Sequence, residues 1–238
     1  MKMELSSFNT SEIRKKQLLQ FLKVSFFTIV LIELYFEYFD NIEFISLLKP
    51  LLIPIIIIMY WVFSEIKSII YVFSLSLSWI ANVLFISKDV NIISLAALFF
   101  ILHRVFIIYK IYLVVKPIKW LSILLASIPF LFLFLCLINV VFIKLEGKLF
   151  YITLTQSLLM SMFGGFALSN YVMKNDQPSK LLLVSSVFFT INLFVLGIKL
   201  YFIDLSFLKP ISMLFFILGH YVFYLFMIKS EGEKSNIE

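Results

Sequence analysis

The chain has 238 residues, 62% of them hydrophobic and 14% charged, with a formal net charge of +6 at pH 7. A mean hydropathy of +1.06 excludes a soluble domain, whose apolar share is about 45–50%, and no polar stretch is long enough to fold separately. The basic charge is spread over loops and tails, so it reads as topology information and no nucleic-acid partner is expected.

In chain order, residues 1–18 form a polar, basic lead with Lys2, Arg14, Lys15 and Lys16, and nothing there resembles a signal peptide with a small-residue cleavage site. Eight apolar segments are predicted near 19–38, 46–64, 67–86, 91–115, 119–142, 150–172, 180–204 and 207–229. Each matches the about 17–25 residues needed to cross a bilayer. The polar tail 230–238 is expected to be loose. The predicted fold class is all-α: a polytopic integral membrane helix bundle of about eight transmembrane helices, with short loops between antiparallel neighbours. Outside the spans, eleven Lys and Arg fall on the side of the two termini and five on the other. The bias puts both termini in the cytoplasm. The Ile, Phe and Lys bias fits a bacterial inner membrane.

The third segment sets the pattern for the rest. Its polar residues Ser74, Ser78 and Asn82 recur every four residues and so line one helix face. Lipid satisfies none of the Asn82 amide groups, so this face points inward, either as polar glue between helices or as part of a buried site. Ionisable groups inside spans carry the same message. Glu33 and Glu37 lie four apart in the first span, which is read as ending near Leu34 and leaving them in the interface. His103 and Lys110 share a face of the fourth span. Lys110 is near enough to the end to snorkel, whereas His103 is either a satisfied structural histidine or a functional one. The sixth span carries Ser157, Ser161 and Gly165 at steps of four, then Ser169 and Asn170, and Gly164-Gly165 permits close helix approach. Asn192 and Lys199 lie seven apart in the seventh span, and the eighth carries His220, Tyr221 and Tyr224. Together these groups predict a polar cavity inside the bundle.

Two junctions look alike: Ser46-Leu47-Leu48-Lys49-Pro50 and Ser206-Phe207-Leu208-Lys209-Pro210. They read as a common way to open a helix, with Pro in its first turn, or as an internal repeat. Cys136 is the single cysteine, so no intramolecular disulfide forms. The sequence contains no phosphate loop, zinc helix or nucleophile elbow, and no metal or cofactor is expected.

This order of features resembles the YhhN-type, or lysoplasmalogenase, family of eight-span membrane proteins over about residues 20–228. Lys49-Pro50 matches a Lys-Pro at the start of the second span. Phe100-Ile101-Leu102-His103 matches a Phe-x-x-His in the fourth. Where that family carries Ser-x-x-Gly-Asp in the third span and Phe-x-x-Ser-Asp in the sixth, this chain has Ser78-Trp79-Ile80-Ala81-Asn82 and Phe166-Ala167-Leu168-Ser169-Asn170. The resemblance implies hydrolysis of the vinyl-ether bond of a lysoplasmalogen to a fatty aldehyde and a glycerophospho head group. Asn82 and Asn170 then stand at the presumed catalytic aspartates. His103 or Glu33 is the candidate substitute proton donor, and Lys49, Ser78, Ser169 and Glu33 line the cavity or bind substrate. Enol-ether cleavage needs a proton donor and a base-activated water, and an amide supplies neither. The two asparagines therefore point to impaired or altered catalysis. The alternatives are a non-catalytic protein that binds a membrane lipid, such as a lysophospholipid, or a partner, and a transporter of a small solute.

Overall fold

A computed structural model of the protein describes residues 2–115, 119–141, 147–203 and 205–235, with side chains described over 13–115, 119–140, 147–203 and 205–232. Among the described residues eight helices follow one another: α1 (Lys2–Tyr38), α2 (Ile42–Phe63), α3 (Ile69–Leu84), α4 (Val90–Val114), α5 (Trp120–Val141), α6 (Lys148–Lys174), α7 (Gln177–Tyr201) and α8 (Leu208–Ser235). No strand occurs among the described residues. Seven of the helices are long and apolar enough to cross a membrane; α3, with 16 residues, is shorter. The chain is an integral membrane helix bundle.

Local chemistry sets the helix ends. Asn41, Ser68, Asp89 and Asp176 cap α2, α3, α4 and α7, each side chain accepting from a backbone N–H of the first turn. Asp40 adopts φ 50° after α1. Its N–H bonds Glu37 O and that of Asn41 bonds Phe36 O, the two bonds of a Schellman stop. Asn175, also at φ 50°, ends α6.

Consecutive helices pack as neighbours along α1, α2, α3 and α4; α4 then meets α6, α6 meets α7, α7 meets α8, and α8 closes back on α1. α5 stands outside, against α6 and α7. α8 also touches α2 and is the most enclosed of the apolar helices, with 56% of its apolar stretch buried against 17% for α1 and α5. Gly164 and Gly165 permit the α5–α6 approach. A Cβ at Gly165 would run into Ser127 Oγ and lie 2.8 Å from the Ile123 carbonyl oxygen.

Four expectations change. α2 begins at Ile42, so Pro50 is interior rather than in the first turn, and Pro54 follows it one turn on. Pro54 has no N–H to give the Pro50 carbonyl one turn back, and the Trp79 indole of α3 donates to that oxygen instead at 2.8 Å. Pro210, by contrast, does sit in the first turn of α8. α1 continues to Tyr38, and Glu33 and Glu37 are buried within the bundle, where α2 and α8 bring lysines to Glu37. Helix α8 extends to Ser235, so the start of the supposed loose tail is helical, and Glu231 is buried. Lys110 does not snorkel; it is buried beside that same Glu231.

Candidate functional site

Glu37 sits on the last turns of α1, and two lysines close on it. Lys49 of α2 reaches Oε1 at 2.6 Å, and Lys209 of α8 reaches Oε2 at 2.8 Å. Lys209 also bonds Asp40 at 2.8 Å, and Lys88 of the α3–α4 loop meets the other oxygen of Asp40 at 3.0 Å. The chain Lys49–Glu37–Lys209–Asp40–Lys88 thus runs from the bundle interior to its rim. The pairing with Lys209 and then Lys88 holds the Asp40 carboxyl down at about 2. One turn deeper on α1, Glu33 is fully buried, and neither carboxyl oxygen has a hydrogen-bond partner.

These charges border a cavity of about 520 Å³. Lys49, Lys88, Lys199 and Lys209 line it against two carboxylates, Glu37 and Asp40. Asn82 contributes a buried amide whose nitrogen donates to nothing. Phe85, Ile93, Phe100, Leu196 and Phe216 form walls that this cavity shares with a second, mostly apolar one of about 70 Å³ reaching between α4, α6 and α7. Lysines at the rim and phenylalanines within make the combined space amphipathic.

The Ser74, Ser78 and Asn82 stripe faces inward, as its spacing predicts. The Ser74 carbonyl lies 2.8 Å from His103 Nδ1; a carbonyl only accepts, so Nδ1 carries the hydrogen. Ser78 Oγ lies 2.8 Å from His220 Nε2, and the two imidazole centroids are 5.1 Å apart. His103 lines the apolar cavity.

The structure therefore brings Lys49 and Asn82 together at the lysine cavity, with Ser78 one turn below Asn82. It does not bring Asn170 to them. Gln156 donates to Ala97 O, which fixes the depth of α6 against α4. Asn170 lies fourteen residues further toward the opposite end, about 20 Å of helix rise. Ser169 and Asn170 are buried there, with Ser169 Oγ and Asn170 Oδ1 unpartnered, and neither lines either cavity.

Sequence reasoning missed the roles of Lys209, Asp40 and Lys88. The repeated Ser-x-x-Lys-Pro junction was the available signal, since both of its lysines converge on Glu37. It also missed the cluster at the other end of the bundle. There Glu231 of α8 accepts from Tyr60 (2.9 and 3.0 Å) and Ser64 (2.7 Å) and pairs with Lys110 at 3.3 Å. No family model, no curated protein and no solved structure matches this chain.

Proposed function

We propose that this membrane protein binds a single-chain phospholipid, with the phosphate head among Lys49, Lys88 and Lys209 and the acyl chain along the Phe-lined extension. One observation carries this reading: a lysine-lined cavity of about 520 Å³ shares its walls with an apolar one between α4, α6 and α7. Among the described lining residues, Lys49, Lys88 and Lys209 against the carboxylates of Glu37 and Asp40 leave one positive charge, suited to one phosphate diester. A lysophospholipid has that charge and a single tail.

The resemblance to the lysoplasmalogenase family supports the same ligand class, and vinyl-ether hydrolysis is the second reading. What favours it is that a carboxylate, Glu37, and the amide of Asn82 border one cavity. Against it, both Glu37 oxygens are held by lysines, and Asn82 neither gives nor takes a proton. The non-catalytic reading is preferred. The lysine bias of the loops supports cytoplasmic termini, which would open the cavity toward the opposite face, and the composition fits a bacterial inner membrane.

Native mass spectrometry from lipid nanodiscs tests the binding. One lysophosphatidylethanolamine per chain is expected, weakened about tenfold or more in the Lys88→Met, Lys209→Met variant, since each charge-assisted contact contributes about 1.5–3 kcal/mol. A monoacylglycerol with the same tail should bind weakly. Equal binding of both lipids, or of neither, refutes the reading. Lysoplasmalogen added to the native chain should release no aldehyde above a denatured control. Release by the native chain would instead establish the hydrolase.

A further inference from the structure

Arg104 lies near the middle of α4, one residue past His103, and is buried. Among the described residues it makes no ion pair, and its Nη1 has no hydrogen-bond partner. A guanidinium has five donors and no acceptor, and it keeps its charge. An unpaired cation at the middle of a spanning helix costs several kcal/mol, so some acceptor is required. The same small cavity holds two more unpartnered polar atoms: Ser157 Oγ, a donor, and Gln156 Oε1, an acceptor that makes no hydrogen bond with Arg104 and would not itself hold an anion. The remaining walls are largely aliphatic and aromatic, among them Ile107, Leu137 and Met160, and carry no carboxylate.

We propose that this cavity is an anion site, in which Arg104 and the Ser157 hydroxyl hold a compact monovalent anion. Its volume of about 70 Å³ accommodates a halide or a carboxylate head. Arg104 does not line the lysine cavity, so this site stands apart from the proposed phospholipid head site, but it opens on the walls that the acyl chain would follow, so that a tail and the anion compete for the space. The anion is either a free ion such as chloride or the carboxylate of a fatty acid entering from the membrane. The shared chemistry is a single small negative charge met by a planar guanidinium and a hydroxyl.

The test is radiolabelled chloride binding to the full chain in nanodiscs of neutral lipid, in gluconate buffer at constant ionic strength, with oleate as competitor. Saturable binding of one chloride per chain is expected. It should be weakened about tenfold or more in Arg104→Met and by less in Ser157→Ala, since a hydrogen bond to a charged group contributes about 1.5–3 kcal/mol. Displacement by oleate but not by a monoacylglycerol of the same tail would assign the site to a fatty-acid carboxylate, and displacement by both or by neither would assign it to the free ion. If Arg104→Met does not fold, Ser157→Ala and the chloride-dependent rise in the melting temperature of the native chain decide. Absence of saturable binding of both chloride and oleate to the native chain, or unchanged chloride affinity in the folded variants, overturns the proposal.

Discussion

Glu37 pairs with two lysines that arrive from helices far apart in the chain. With its side chain enclosed, replacing the carboxylate by an amide leaves Lys49 and Lys209 facing each other without their shared counter-charge. Removing one partner of a buried ion pair costs about 3–5 kcal/mol. Glu37→Gln should therefore lower the melting temperature in nanodiscs sharply, and Glu37→Gln with Lys49→Met should recover part of the loss. Asp40 behaves differently because its side chain is half exposed. Its pKa falls from an ordinary value of 3.8 to about 2. The stabilisation from its lysines is therefore present above about pH 4 and is lost as the pH drops through about 2. In Asp40→Asn that acid-dependent component should vanish while the left-handed turn survives, since Asn tolerates positive φ. Melting temperature followed from pH 6 to pH 2, for the native chain and this variant, reads the difference. At this scale the sequence discloses which groups are costly but not how they are met. Ser74, Ser78 and Asn82 were legible because their spacing alone puts them on one face. Glu33 and Glu37 were misplaced because hydropathy weighs a carboxylate against lipid, not against a lysine from a helix 170 residues later.

Among the elements, α2 depends on its neighbour. Two interior prolines weaken its hydrogen-bond ladder, and Trp79 of α3 supplies the donor that Pro54 withholds from Pro50 O. Trp79→Phe should cost about 1–2 kcal/mol in the native background. In a Pro54→Ala background, where residue 54 regains an N–H for that carbonyl, the same substitution should cost little. A double-mutant cycle by thermal unfolding measures the coupling, and equal costs in both backgrounds would deny it. The α5–α6 contact gives a second expectation. Gly165→Ala meets the Ile123 backbone, which cannot swing aside, whereas Gly164→Ala meets the ring of half-buried Phe130, which can. The first should cost about 1–3 kcal/mol and the second less, as overpacking does. Melting temperatures of the two variants check the order. The close approach was readable from the glycine pair; the identity of the partner helix was not, because α5 carries an apolar surface with no periodic mark of its inner face.

At the scale of the whole molecule, the bundle has two unlike ends. One opens into the lysine cavity. The other is tied shut where Glu231 gathers Tyr60, Ser64 and Lys110. The helical class and the alternation of up and down helices were legible from eight apolar runs and short loops. The closed end was not, since Glu231 sits in a stretch that any composition window scores as a polar tail. Nor was the distance between Asn82 and Asn170, because equal motif position on two helices says nothing of equal depth when the helices run oppositely. Glu231→Ala should leave the lysine cavity and the lipid binding proposed for it intact while exposing the Tyr60 end to faster amide exchange, read by hydrogen–deuterium exchange over residues 60–71.

The position of α8 bears on how the protein is made. It is the most enclosed of the apolar helices, and it alone supplies both Lys209 to one end and Glu231 to the other. It is also the last of the eight to leave the ribosome. Until it does, Glu37 has only Lys49, Lys110 lacks its acid, and the inward faces of α1 and α2 have no cover. The first seven helices therefore await the eighth inside the membrane as an unfinished ring. A quality-control protease that recognises exposed intramembrane charge would find its substrate in that interval, and nascent chains stalled before α8 should be degraded while full-length chains persist.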